Sequence, residues 1–391
     1  MKLDNNIKII GILLVICGAL FYKVMFTEHL FLSSDSLSAK SVSQGIDIST
    51  QEHDEYPIWM PWMFGGLPST HSMQNISEYY FPHQIISSIK FLGIPWFWNF
   101  VLHFLFCGFG MYLLLKKLKL GFYPCLLGAS CFMINPWMVV NIVHGHGSQV
   151  MTAAFLPWVV WATLNLKHQP NIRNISILAL LIGLQLQRGH VQIAYYAWIV
   201  MGIYIIYDYI SSKQIDIKFL FKWMLSSIIG LCMSLWIYIP LLNYTPYSAR
   251  SIPKWIDSAT NWSLHPYEML TIILPSSYGF GDSSYFGYMP FTNFPNYTGC
   301  LLIILAIFSF YNNHNKMIYF FLSLCIFSLA VSLGKYFFFY ELLFNWLPYF
   351  NKFRVPSMIL VVFQFSILVL ASIGLNNLLD KIKERGHDKP I

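Results

Sequence analysis

Asp35 stands in Phe31-Leu-Ser-Ser-Asp35-Ser-Leu, isolated among serines and leucines about two helical turns beyond a first long apolar run. A carboxylate placed so close to an apolar run is a functional candidate by position alone. Two further polar clusters occur where apolar runs turn around: His144-Gly-His146-Gly-Ser-Gln149 and Gln185-Leu-Gln-Arg188-Gly-His190-Val-Gln192. The run before Arg188 offers only about 14 apolar residues, or about 21 Å of helix, which leaves Arg188 and His190 recessed. A recessed cation must face protein, water or an anion, so a polar cavity opening outward follows. The alternative is that Arg188 snorkels to the surface. Arg250, in Tyr247-Ser-Ala-Arg250-Ser, and Arg354, in Asn351-Lys-Phe-Arg354-Val-Pro356, carry the planar fork suited to phosphate or pyrophosphate. Glu268, in His265-Pro-Tyr-Glu268, adds a second isolated carboxylate. Zinc at His144 and His146 is disfavoured because no third ligand is evident. The acidic stretch Gln51-Glu-His-Asp-Glu-Tyr-Pro57 reads mainly as a solvated loop, although with Asp35 it leaves room for a divalent metal (Mg or Mn).

The elements that must position these residues are helices in lipid. Of 391 residues, 56 % are hydrophobic, 18 % aromatic and only 10 % charged, with a mean hydropathy of +0.54. Ordinary soluble domains carry about 25 % charged residues. Long apolar runs separated by short polar ones therefore exclude a water-soluble enzyme, a disordered chain or a nucleic-acid binder. Runs able to cross about 30 Å of hydrocarbon are expected at roughly 7–26, 95–115, 121–142, 149–166, 174–188, 191–210, 219–240, 297–311, 316–334 and 355–378. The expected fold class is thus all-α, a polytopic transmembrane bundle of about ten spans formed by a single integral membrane domain, 1–391. No small-residue cleavage motif follows the first run, which reads as a retained span and not a signal peptide.

Charge placement gives the orientation. With the N-terminus inside, fifteen Lys and Arg fall on the inner side against eight outside, and both termini are expected to be cytoplasmic. Most carboxylates fall outside. The net charge of +7 then reflects topology, and nucleic acid has no support as a partner. The outer side also carries the long connections, 27–94 and 241–296, whereas 379–391 is a basic cytoplasmic tail. Large loops in a compact membrane protein are usually functional, which places the chemistry on the outer face. Within the first loop, Pro57-Ile-Trp-Met-Pro-Trp-Met-Phe-Gly-Gly-Leu-Pro68 combines interfacial aromatics with turn-forming Gly and Pro. Seven scattered cysteines form no CxxC pair, and Walker A, GxGxxG, GxSxG and HExxH motifs are absent.

Taken together, these residues resemble the YfhO family of bacterial multi-pass membrane proteins, which belongs with the GT-C type glycosyltransferases. Ser34-Asp35-Ser-Leu-Ser-Ala is similar to the family's Asp after the first span. Pro57-Ile-Trp59 through Met63-Phe-Gly65-Gly66-Leu-Pro68 is similar to its Pro-Leu-Trp-x-x-x-Met-Phe-Gly-Gly-Met-Pro. Gly145-His146 with Pro157-Trp158, and His190-Val-Gln192-Ile-Ala-Tyr195-Tyr196, resemble two further elements. The last shared block resembles Leu333-Gly334-Lys335 with Tyr349-Phe-Asn351-Lys352-Phe353-Arg354 and Ser357-Met358. Many family members continue with more spans and an extracytoplasmic C-terminal domain, whereas this sequence ends at Ile391.

The resemblance implies a bacterial cytoplasmic-membrane enzyme that takes a sugar from a polyprenyl-phosphate carrier and passes it to an extracytoplasmic cell-envelope glycan or lipid acceptor. Asp35 matches the catalytic position and would act as base. Arg354 and Arg188 are the candidates for the donor phosphate, with His146, Gln149, His190 and Gln192 lining the cavity and Glu268 as a further binding residue. Two other readings remain: a transporter or flippase-like protein for a lipid-linked saccharide, and a noncatalytic membrane assembly factor of the same fold.

Overall fold

The computed structural model describes residues 4–27, 29–31, 33–69, 80–88, 93–248, 256–279, 281, 284–289, 296–311 and 316–387. Arg250 lies outside them. The chain is helical almost throughout: α1 Asn5–Phe26, α2 Ser34–His53, α3 Phe81–Ser88, α4 Trp98–Lys117, α5 Phe122–Met133, α6 Pro136–Val143, α7 Gly147–Ala153 and α8 Leu156–His168 come first. They are followed by α9 Ile172–Gln187, α10 Val191–Ser212, α11 Ile217–Cys232, α12 Leu235–Tyr244, α13 Ile256–Ala259, α14 Cys300–Phe308, α15 Lys316–Ser332, α16 Phe338–Trp346 and α17 Leu360–His387. A hairpin of β1 Trp59–Met60 and β2 Leu67–Pro68 is the one sheet among the described residues.

Among the described residues six helical stretches are long and apolar enough to cross a membrane: Asn5–Phe26, Trp98–Lys117, Phe122–Val143, Gly147–His168, Val191–Ser212 and Pro356–Glu384. A seventh arises if α11 and the stretch from Leu235 to Tyr247, bent by 67°, count as one. The chain is therefore a multi-pass helical protein, with fewer full-length spans than the ten expected. Helices do stand at the other three positions, but α9, α14 and α15 have 16, 9 and 17 residues. At 1.5 Å per residue even α15 reaches only about 26 Å. The polar turn at Gln187–Arg188 stops α9, as its apolar length predicts.

The hub is α17, whose residues from Leu360 to Ile373 are almost all buried against α5, α14 and α15. Small residues permit this. A Cβ on Gly374 would lie 1.7 Å from the Leu305 carbonyl, and one on Gly128 would lie 2.3 Å from Ser372 Oγ. Such close approaches are how helices associate where lipid removes the hydrophobic incentive. By contrast α1 turns Ile7, Val15 and Leu20 outward, as a peripheral lipid-facing helix does.

The lysine-rich helix ends gather on one side. Lys116 Nζ donates to Asn6 Oδ1 (3.4 Å) and the Gly121 N–H to Asn376 Oδ1 (2.9 Å), which joins the start of α1, the α4–α5 turn and α17. Lys167 bridges Asp208 (2.7 Å) and Asp216 (3.0 Å), and Lys316 Nζ reaches the Ser211 carbonyl (3.3 Å). The polar clusters singled out from sequence lie at the opposite helix ends.

The segment after α1 is more ordered than a solvated loop. Ser33 Oγ accepts from the Ser36 N–H (3.1 Å) and starts α2, and Asp54 ends it at φ 55°. Val42 and Ile46 of α2 then pack on Met60 of the hairpin, whose turn is made by Gly65 and Gly66 at positive φ.

Candidate functional site

Asp35 sits in the first turn of α2, where the exposed N–H groups favour a carboxylate. Its Oδ2 lies 2.9 Å from His146 Nε2, while the side chain remains 60 % exposed. Oδ1 makes no hydrogen bond among the described residues. His146 is placed by the bend between α6 and α7, where its N–H bonds the Asn141 carbonyl at 2.8 Å. Gly145 makes that bend possible, at φ +86°, and a Cβ there would fall 2.5 Å from the Ser36 nitrogen. Only glycine lets the turn lie this close to the start of α2.

The other imidazole nitrogen is fixed too. His146 Nδ1 stands 3.2 Å from Asn141 Oδ1, and Asn141 Nδ2 donates to the Trp137 carbonyl at 2.7 Å. That donation orients the amide with its oxygen toward the ring, so Nδ1 carries a hydrogen. The Asp35 carboxylate faces the remaining nitrogen, Nε2, at 2.9 Å. The result is a chain, Trp137 carbonyl to Asn141 to His146 to Asp35, with one carboxylate oxygen open to a reacting group.

Beside this turn lies a second, buried cluster. Arg188, at the end of α9, is 1 % exposed; its guanidinium lies 4.7 Å from the centre of the Tyr80 ring. Its Nε and Nη1 find no hydrogen-bond partner, and no carboxylate pairs with it among the described residues. Tyr80 Oη is 3.2 Å from His103 Nε2, and His103 Nδ1 donates to the Asn99 carbonyl at 2.7 Å. Asn99 Nδ2 is 3.4 Å from His83 Nδ1. Helix α7 links the two clusters. A Cβ on Gly147, at its start, would meet Phe100 on α4, and its Thr152 carbonyl accepts from Gln185 Nε2 (3.2 Å) near Arg188.

A buried cation without a partner is costly, by several kcal/mol even after relaxation. The Tyr80 ring returns about 2 kcal/mol of that. Arg188 therefore does not snorkel, and its free donors fit an anion.

The remaining candidates have defined places. Gln149 is buried in α7. His190 caps α10, with Nδ1 accepting the Ile193 N–H at 3.3 Å. Gln192 clamps the backbone of Arg354, donating to its carbonyl (2.6 Å) and accepting its N–H (3.5 Å). The Arg354 side chain is exposed and makes no ion pair among the described residues. Val355 follows at φ 58°, rare for a β-branched residue, with its N–H on the Ala259 carbonyl (3.1 Å).

Glu268 belongs elsewhere. It is 2 % exposed, and its Oε1 accepts from Tyr285 Oη (2.5 Å) and the Tyr288 N–H (3.1 Å). Its Oε2 accepts from the His265 N–H (3.4 Å). Burial, and then the bond to Glu268, pushes the Tyr285 phenol above its ordinary pKa. Glu268 thus ties together the segment from His265 to Tyr288. The divalent-metal expectation meets a geometric obstacle, because Asp35 and Asp54 stand at opposite ends of α2. Nineteen residues of helix part them by roughly 28 Å. Among the described residues no three His, Cys, Asp or Glu side chains converge on a metal-sized site.

Asn141, Tyr80, His83, Asn99 and His103 are not among the candidates drawn from sequence. His103 had a usable signal: an ionisable residue inside the apolar run 95–115, with Asn99 one turn before it. Compared with known proteins, the chain matches no family model and no curated protein.

Proposed function

We propose that the chain is a GT-C type membrane glycosyltransferase that moves a sugar from a polyprenyl-phosphate donor to an acceptor hydroxyl on the extracytoplasmic face. The observation that carries this reading is the oriented Asp35–His146 pair, at 2.9 Å, at the helix ends that also hold Arg188, which pairs with no carboxylate among the described residues. Asp35 Oδ1 accepts the proton of the acceptor hydroxyl as its oxygen attacks the anomeric carbon. The bond from that carbon to the phosphate oxygen breaks, and the electron pair leaves with the polyprenyl phosphate. Arg188 matches the charge of that leaving group, with Arg354 beside the α9–α10 turn as the second cation. His146 holds Asp35 in line, and Asn141 holds His146.

In this arrangement Tyr80 covers Arg188, so donor binding displaces the ring. The lysine-rich helix ends are cytoplasmic by the charge rule, which makes the Asp35 face extracytoplasmic and both termini inside. The transport reading predicts polar side chains on the opposite halves of the helices, and the clusters here lie at one end.

Mass spectrometry of cell-envelope glycans and polyprenyl-linked sugars in a deletion strain tests the reading. Loss of one modification, with build-up of its lipid-linked donor, is the expected result. Unchanged glycans and lipid-linked sugars would reject it.

A further inference from the structure

A cavity of about 180 Å³ lies in the segments after α12 and α15, among Asn261, Trp262, Ser263, Tyr288, Lys335 and Tyr336. Cavities of about 150 Å³ hold a benzene molecule, so this one takes a single six-membered ring. Its lining combines three amphipathic rings, an amide and an ammonium with the apolar Met289 and the buried Ser263. Rings of this kind offer an apolar face with a polar edge. A pyranose has the matching surface, with an apolar C–H face and a rim of hydroxyls that the exposed Asn261 amide can both donate to and accept from. Lys335 makes no ion pair among the described residues, and its Nζ stands 5.2 Å from the Tyr336 ring centre. The site therefore favours a sugar ring that carries a negative charge.

The walls are built and held. His265 stacks on Tyr288 at 3.6 Å and meets Tyr336 edge-on at 4.6 Å, fixing two of the three rings. The buried Glu268 carboxylate holds the backbone of both His265 and Tyr288. Ser263 Oγ accepts the Lys335 N–H at 3.1 Å, an approach that requires Gly334, where a Cβ would fall 1.9 Å from that oxygen. Trp262 adopts φ 57°, a conformation rare for a large residue and found at ligand clamps. The roles of Glu268 and Gly334 thus converge on one place that the Asp35 cluster does not explain.

We propose that this cavity is a binding site for a single anionic pyranose unit, such as a uronic acid or phosphorylated sugar within a larger glycan. The proposal stands apart from the transferase reading, because the test is binding and not turnover. The full chain in detergent is titrated with glucuronate, glucose 6-phosphate, glucose and inorganic phosphate at equal ionic strength, following saturation transfer to the sugar ring protons by NMR. Both anionic sugars should bind more tightly than glucose, and inorganic phosphate should not displace them. Lys335→Gln should weaken the anionic sugars roughly tenfold and leave glucose unchanged. Tyr288→Leu should weaken all three sugars, and Asp35→Asn should weaken none. Equal binding of glucose and glucuronate, full displacement by phosphate, or affinities unmoved by Lys335→Gln and Tyr288→Leu would each overturn the proposal.

Discussion

Under the proposed reading a carboxylate tied at one oxygen and open at the other would serve as a directed base, and Asp35 has this form because His146 takes only Oδ2. If His146 acts through Asp35, His146→Gln retains a donor and should lower transfer less than His146→Ala, for which a drop of about 10²-fold is expected. Asn141→Leu should reproduce part of that drop without changing donor binding, readable as kcat falling at constant KM. Arg188 gives the sharper forecast. Even a buried ion pair replaced by well-packed apolar side chains is often neutral or stabilising by about 1–4 kcal/mol, and a buried cation that pairs with no carboxylate among the described residues has less still to lose. Arg188→Met should therefore raise the thermal midpoint in detergent while abolishing donor binding. A lowered midpoint with donor binding intact would show that Arg188 is structural. From sequence, Asp35 and Arg188 stood out as charged residues close to apolar runs, and His146 as part of a polar cluster where such runs turn around. Their pairing did not, since Asp35 and His146 lie 111 positions apart and no local pattern pairs them.

At the scale of elements, the approach of the α6–α7 bend to α2 depends on one glycine. Gly145→Ala adds a Cβ 2.5 Å from the Ser36 nitrogen on a backbone at φ +86°. The loss should be about 1–3 kcal/mol, with activity falling further than stability because Asp35 and His146 separate. A crystal or NMR contact between them that survives in this variant would refute the dependence. On the lysine-rich side, Asp216 is held below its ordinary pKa first by the Phe219 N–H and then by Lys167. A depressed carboxylate stabilises above its unfolded value of about 3.9 and loses that contribution as the pH falls through the folded value. Asp216→Asn should cost about 0.5 kcal/mol at pH 7, a deficit that closes below about pH 4 in thermal melts. The turn at Gly65–Gly66 was legible, though not the two strands that it joins, and the stop of α9 was legible in its short apolar run. Helix α2 was not, because its serines and carboxylates read as a solvated loop; its cap at Ser33 and its packing on Met60 form only in three dimensions.

The whole molecule is a helical bundle around α17 with two unlike ends, one bound together by lysines and the other holding the polar clusters. The apolar content of the chain made the bundle legible. The count of full spans was not, because an apolar run can outlast its helix where no polar turn marks the stop, as at α14, which ends after nine residues. The account as a whole rests on Asp35 as the proton acceptor. The direct measurement is the rate of sugar transfer by purified Asp35→Asn protein in proteoliposomes supplied with polyprenyl-phosphate-linked sugar. Its thermal midpoint, compared with that of the unmodified chain, checks that it is folded. The account predicts a fall of at least about 10²-fold with donor binding retained. A folded Asp35→Asn protein that transfers sugar at the original rate would contradict it.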